Sequence, residues 1–290
     1  MRGWPSLNSS RATAVAGLLV FVILAPRAGA GAEIEAPAMV TLQSHPFHYR
    51  LAGDFTRDGK PVNAPARMVR LDGALTIMMH QVTGAEYQRC VLDHRCLAVP
   101  SLAGDVDRPA VKISWRDATA YAAWLSRRLG ATYRLPTDEE WVFAAGSRFR
   151  DEVLPDGTVD QAEGWLRRYE IEADRDEAIA GHPRPVGSFG ANENGVLDFA
   201  GNVSEWTNTC LVHYDSISIN DGASIVNCGV RVVERRHRTY MTDFIRDPRF
   251  GGCAVGKPPN NLGFRLLRES GPWEWLPSVI GRFHAVGFPE

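Results

Sequence analysis

Tyr133-Arg134-Leu135-Pro136-Thr137-Asp138-Glu139-Glu140-Trp141 is the stretch on which the fold turns. Thr137, with three acidic residues behind it, is a helix start. Acidic side chains in a first turn complement the helix dipole. The helix that follows carries Trp141, Phe143, Ala144 and Ala145. Upstream, Ser114 and Asp117 form a second start of the capping-box type, and Trp115, Ala118, Tyr121, Ala122 and Leu125 follow at helical spacing until Gly130. Further upstream, Thr83 and Glu86 make a third box for a helix running to Leu92, with Val82 and Tyr87 packing across its start. Between Met68 and Met79 partial alternation predicts one or two strands. From Glu33 to Ala64, strand-like pieces are broken by Gly53, Gly59, Pro61 and Pro65. Beyond Gly146 the regular pattern fades, and residues 147–200 are rich in Gly, Pro, Asp and Glu. Such a stretch reads mostly as surface loop; loops this long in a compact domain are often functional or tied down by an ion. The class is α+β, with a few early helices, many short strands and long late loops.

At 44% hydrophobic and 23% charged, the 290-residue chain has ordinary globular composition. Residues 1–32 read as a cleavable signal peptide. Arg2 and Arg11 lead, Ala14 to Ala25 is apolar, and Ala28-Gly29-Ala30 and Ala30-Gly31-Ala32 offer small-residue cleavage sites. The apolar run is shorter than the roughly 20 residues a spanning helix needs. Residues 33–290 then form one domain. The formal charge of −2 becomes −5 once Arg2, Arg11 and Arg27 leave with a leader that has no acid. A mildly acidic domain does not bind nucleic acid by bulk electrostatics. Export, to the periplasm or beyond the cell, places the five cysteines where pairs oxidise. Proximity along the chain favours Cys90–Cys96 and Cys210–Cys228, leaving Cys253 single, although four cysteines allow three pairings.

Five segments, in order, resemble the formylglycine-generating enzyme, or sulfatase-modifying factor, family. They are Gln81-Val82-Thr83-Gly84-Ala85-Glu86-Tyr87; Val111-Lys112-Ile113-Ser114-Trp115-Arg116-Asp117-Ala118; Tyr133 to Trp141; Gly195-Val196-Leu197-Asp198-Phe199-Ala200-Gly201-Asn202-Val203-Ser204-Glu205-Trp206; and Asn261-Leu262-Gly263-Phe264-Arg265. They are similar to the family's "EVTNxxY", its Trp-bearing helix start, "YRLPTEAEW", "GLxDMxGNVWEW" and "NLGFR". The resemblance implies the family's variant of the C-type lectin fold, a single domain with little regular secondary structure. The same scaffold serves relatives in ergothioneine synthesis and pyoverdine siderophore maturation, so fold alone does not set chemistry.

The resemblance also implies a structural calcium held by the Asp198 and Glu205 side chains and the Gly201 and Val203 carbonyls. Two carboxylates and two carbonyls suit a hard cation. The alternative is a capped turn in which Glu205 bonds backbone amides. A second calcium site of the family falls at residues 170–185, where Asp174, Asp176 and Glu177 read instead as an exposed loop. Asn202-Val203-Ser204 matches a glycosylation acceptor but lies inside the calcium-type motif and is discounted.

The pattern breaks at the chemistry. The family's copper(I) centre needs two cysteines with four residues between them, because soft thiolates suit copper(I). Here the segment reads Gly229-Val230-Arg231-Val232-Val233-Glu234-Arg235-Arg236-His237-Arg238-Thr239-Tyr240-Met241-Thr242-Asp243, with Thr242 and Asp247 near the two cysteine positions. Ser204 stands where the family has its active-site tryptophan. Formylglycine formation by the copper route is therefore disfavoured, and the closer likeness is to the exported branch that includes the pyoverdine-maturation protein. In the same cleft, His237, Tyr240 and Asp243 are the candidate catalytic residues, and Arg235, Arg236 and Arg238 the candidate substrate-binding residues for an anionic or catechol-like group. A redox metal at His237, Asp243 and Asp247 is the weaker reading; solvated charges in internal salt bridges are the bland one. Trp115, Trp124, Trp141 and Trp206 are expected in the core, while Trp273 and Trp275 pack or face a partner.

Two functions follow. The first is an exported tailoring protein assisting or catalysing oxidative maturation of a peptide, siderophore or metalloenzyme. The second is a non-catalytic, calcium-stabilised module that binds a protein, peptide or glycan.

Overall fold

Three helices begin where the sequence places them, each under a reciprocal capping box. A computed structural model describes residues 34–58, 60–99, 106–151, 183–214, 224–243 and 258–270. Helix α1 (Gly84–Leu92) starts on Thr83, whose Oγ1 accepts from the Glu86 amide while Glu86 accepts from the Thr83 amide. Helix α2 (Trp115–Leu129) starts on Ser114 with Asp117 and ends at Gly130, whose φ of 67° is left-handed. Helix α3 (Asp138–Ala145) starts on Thr137 with Glu140. Val82 and Tyr87, flanking the α1 cap, are both fully buried.

Strands β1 (Met39–Leu42), β6 (Leu75–Met78), β12 (Leu267–Arg268) and β7 (Tyr133–Arg134) form an antiparallel sheet in the order β1-β6-β12-β7. A six-stranded sheet runs β10 (Thr239–Thr242), β9 (Ser224–Glu234), β8 (Ser204–Tyr214), β3 (Asp54–Arg57) and β4 (Lys60–Val62), with β11 (Leu262–Gly263) joining β8 in parallel. Strands β2 (Phe47–Arg50) and β5 (Ala66–Val69) make a separate pair. Residues 68–79 thus supply parts of two strands, as the alternation predicts. The long β8–β9 hairpin has no such forewarning, since its register breaks around Cys210.

The core packs Leu42, Leu75, Ile77, Trp141, Phe143, Val196, Phe199 and Leu267 between α3 and the first sheet. Trp124, Trp141 and Trp206 are buried as expected, and each ring N–H finds an acceptor: Asp93, Glu205 and the Ile113 carbonyl. Trp115 is the exception. It is half-buried, with the Arg231 guanidinium over its ring. Gly263 has a packing reason: a Cβ there would sit 2.7 Å from the Ala110 carbonyl. The described residues from 36 onward belong to one compact unit, and among the described residues no helix is long and apolar enough to cross a membrane. The proposed signal peptide, Asp174, Asp176, Glu177, Asp247, Cys253, Trp273 and Trp275 lie outside the described residues.

Candidate functional site

The turn between Asp198 and Glu205 is the first place where expected function meets geometry. Asp198, Ala200 and Asn202 take φ values of 60°, 58° and 55°, so the chain winds tightly through three non-glycine left-handed residues. Asp198 is fully buried, and its two carboxylate oxygens accept from the amides of Gly187 and Phe189. Glu205 points elsewhere. Its Oε1 accepts from Gln81 Nε2 (2.8 Å) and Arg265 Nη2 (2.7 Å), and its Oε2 from Trp141 Nε1 (2.9 Å) and Arg265 Nε (2.6 Å). Four bonds fill the acceptor capacity of a carboxylate, and the fully buried Arg265 supplies the positive charge.

The two carboxylates among the four calcium ligands expected from the family are thus engaged with protein donors, an arrangement that does not favour an ion between them. Asp198 ties the 187–189 turn and Glu205 closes on Arg265, so the cation in this corner is a guanidinium. Among the described residues no group of three or more His, Cys, Asp or Glu side chains is placed to hold a metal. Thermal melting in excess chelator and in millimolar calcium is expected to give the same midpoint; a calcium-dependent rise of several degrees would restore the ion site. Asn202 is also spoken for. It is buried and bonds the Arg184 backbone through both side-chain heteroatoms, which closes the glycosylation motif.

The β9–β10 hairpin carries the residues expected to bind and transform substrate, and it sends them in different directions. Arg238 turns inward. Its Nε and Nη2 donate to Asp138 at 3.0 and 2.7 Å, its Nε also donates to Glu234 at 2.9 Å, and its Nη1 reaches the Arg50 carbonyl. Tyr49 donates its hydroxyl to the same Asp138. Arg238 is thus a buried structural cation, not a substrate ligand, because Asp138 and Glu234 are fully buried and need it. Burial, and then the Asp138 charge, push the Glu234 carboxyl well above the usual carboxylate range, with Arg238 opposing.

Tyr240 closes on the residue just before β3, where its hydroxyl accepts from the Gly53 amide and donates to the Gly53 carbonyl. Burial pushes its phenol up to about 12, away from the range useful for acid–base work near neutrality. Asp243 is buried and accepts from Arg116 Nε at 3.1 Å. His237 sits in the turn at the other end of β10, so strand residues at about 3.3 Å each separate it from Asp243. The three candidate catalytic residues do not converge. Arg236 is exposed, and its carbonyl accepts from the Arg150 amide; Arg235 is half-buried.

What the fold assembles instead is a face at Trp115. The Arg231 guanidinium lies over the Trp115 ring at 3.9 Å. Its Nη1 donates to the Asn208 carbonyl and meets Cys210 Sγ, each at 3.0 Å. The Arg231 Nε is buried without a hydrogen-bond partner among the described residues, and so is Asp243 Oδ1. Burial lowers the Arg231 pKa and the Asp243 charge opposes this. Arg116, more than half exposed, completes the face. The cysteines pair as expected, Cys90 with Cys96 and Cys210 with Cys228. A cavity of about 760 Å³ lies apart, lined by Tyr49, Leu75, Arg134, Glu139, Tyr214 and Glu269 among others. None of the six hairpin candidates lines it, and its Arg134 is already paired with Glu140 and Glu269.

These features belong to a known class. Residues 26–270 match the sulfatase-modifying factor enzyme 1-like domain, and the chain belongs to that family. It is 32% identical over 171 residues to the inactive C-alpha-formylglycine-generating enzyme 2 of Mus musculus, covering 57% of this chain and 51% of that protein. It is 37% identical over 114 residues to the formylglycine-generating enzyme of Mycobacterium tuberculosis, covering 37% of this chain and 36% of that one. The chain thus spans about half the length, or less, of these relatives. The structure of PvdO from Pseudomonas aeruginosa superposes with a TM-score of 0.50 at 22% identity, over 81% of this chain and 95% of that one, a likeness of fold. The fold is the formylglycine-generating-enzyme variant of the C-type lectin fold, α+β with sparse regular structure.

The copper centre of the family does not fit this chain. It asks for two thiolates, and four of the five cysteines are disulfide-bonded. Sequence reasoning missed Tyr49, Asp138 and Glu234 as the partners of Arg238, and Arg265 as the partner of Glu205. Arg265 had a signal, its place at the end of Asn261-Leu262-Gly263-Phe264-Arg265. The buried carboxylates had none: Asp138 opens an acidic run and Glu234 stands beside arginines, and both read as surface charges.

Proposed function

We propose that this chain is a family member that does not make formylglycine and serves as an accessory module in an oxidising compartment. It binds a protein or peptide partner at the Trp115–Arg231 face. The observation that carries this reading is the pairing of four cysteines beside the divergence of His237, Tyr240 and Asp243. Neither a two-thiolate centre nor an acid–base group is assembled from the expected residues. The likeness to a mammalian relative named inactive agrees with this reading. Two disulfides agree with an exported location, periplasmic or secreted. The partner belongs to the oxidative maturation of an exported peptide, siderophore-like molecule or metalloenzyme, which the module assists without catalysing. An aromatic ring stacked under one guanidinium, with a second beside it, suits a peptide carrying carboxylate or aromatic side chains.

The test is direct. The protein, loaded with copper(I) and given a cysteine-containing peptide in oxygenated buffer, is expected to take up no oxygen and to leave the peptide mass unchanged. His237→Ala and Asp243→Ala are expected to behave as the parent. Oxygen uptake that either substitution abolishes, in a folded protein, would replace this reading with the tailoring enzyme.

A further inference from the structure

The two disulfides differ in a way that the binding role does not use. Cys90 is fully buried and Cys96 half-buried. Cys228 is exposed, in a run from Ser224 to Gly229 that is exposed throughout. Its partner Cys210 is half-buried, and Cys210 Sγ lies 3.0 Å from Arg231 Nη1. The guanidinium is held there from three sides. Arg231 stands opposite Cys210 in the β8–β9 ladder, stacks on Trp115 and donates to the Asn208 carbonyl. The ladder slips next to Cys210, where the partner jumps from Arg231 to Asn227, so Cys228 sits in an irregular, open part of β9. Beside it, Ile225 and Val226 leave 64% and 61% of their surface exposed, an unusual pair of apolar side chains on an edge otherwise facing water.

We infer that Cys210–Cys228 is a thiol–disulfide exchange site, with Cys228 as the attacked sulfur and Cys210 as the leaving group stabilised by Arg231. An incoming thiolate attacks Sγ of the exposed residue Cys228. The Cys210–Cys228 bond breaks, a mixed disulfide forms at Cys228, and the electron pair leaves on Cys210. A fixed cation beside a sulfur favours its thiolate form, and a better leaving thiolate departs faster. If the reductant is a dithiol, its second thiolate then displaces Cys228. The dithiol has lost two electrons and become a disulfide, the protein has gained them, and the two thiol protons end on Cys210 and Cys228. The natural co-reactant is a dithiol carried by a small molecule or an exported protein, with Ile225 and Val226 as apolar footing for the latter.

The experiment uses the folded, oxidised chain and reduced glutathione near pH 7.5, with acid quench, alkylation and peptide mass mapping. Cys210–Cys228 is expected to open about tenfold or more faster than Cys90–Cys96, with glutathione on Cys228 and alkylation on Cys210. Arg231→Met is expected to slow the opening about tenfold, the order of effect of a charge on a leaving thiol, while Arg231→Lys retains most of the rate. Faster opening of Cys90–Cys96, glutathione on Cys210, or an unchanged rate in a folded Arg231→Met protein would each overturn the proposal. Should Arg231→Met fail to fold, the order and position of attack in the parent still decide it.

Discussion

Arg265→Met is expected to destabilise the fold by about 3–5 kcal/mol, the cost of stranding a buried charge. Glu205 is 1% exposed and receives two of its four hydrogen bonds from Arg265. The same guanidinium donates to the Leu197 carbonyl at 3.0 Å and lies 4.1 Å from the Phe199 ring centre. Its removal leaves a carboxylate in the core with only Gln81 and Trp141 to answer it. Adding Glu205→Gln should recover part of the loss, because the charge goes while the remaining amide oxygen still accepts from one of the two donors, Gln81 or Trp141. Glu205→Leu should recover less, since it orphans both donors. Urea denaturation of the three variants measures this. If Arg265→Met costs under 1 kcal/mol, the pair is not what closes this corner, and a bound cation regains its place there.

The second large effect lies at Arg238, and it depends on pH. Asp138 and Glu234 are both fully buried, and Arg238 donates to each. Arg238→Met is expected to cost about 3–5 kcal/mol, because it strands the buried Asp138 charge. Glu234→Gln should act in the opposite direction at neutral pH. The folded protein holds a proton on Glu234 that the unfolded chain releases above its ordinary carboxylate value of about 4.3. Between that value and the raised folded one, the native state binds more protons than the unfolded state, so stability falls as pH rises. Glutamine imitates the protonated acid and does not titrate. The parent should therefore lose melting temperature from about pH 5 upward by an amount that Glu234→Gln does not, and the two should converge near pH 4. Parallel pH profiles would mean that Glu234 ionises freely in the fold.

How much of this could be read in the chain varies with the range of the interaction involved. The caps on Thr83, Ser114 and Thr137 are contacts between residues three apart, and all three were legible. So were both disulfides, which join near neighbours along the chain. The β8–β9 hairpin was hidden because its burial does not alternate and its register slips beside Cys210. The hairpin charges were misread for a different reason. Arg238 resembles any surface arginine until Asp138, a hundred residues earlier, is brought against it. Trp115 sits in a helix whose other aromatics are core, and only the fold shows that its ring faces Arg231. For Asp198 and Glu205, expected as calcium ligands, the motif gives their spacing and not what answers their charge.

The pairing of β6 sets the order in which the chain can fold. Its two neighbours are β1 and β12, so Ile77 lies between Val40, from the beginning of the domain, and Leu267, from the far end of its described residues. A strand whose second edge arrives last closes a very long loop, and such loops slow folding. Until that arrival the apolar side chains of Leu75, Ile77 and Met78 have one edge uncovered. A chain ending before Leu267 therefore lacks the element that completes its first sheet, and a chain still being made or moved leaves that sheet unfinished until Leu267 is free.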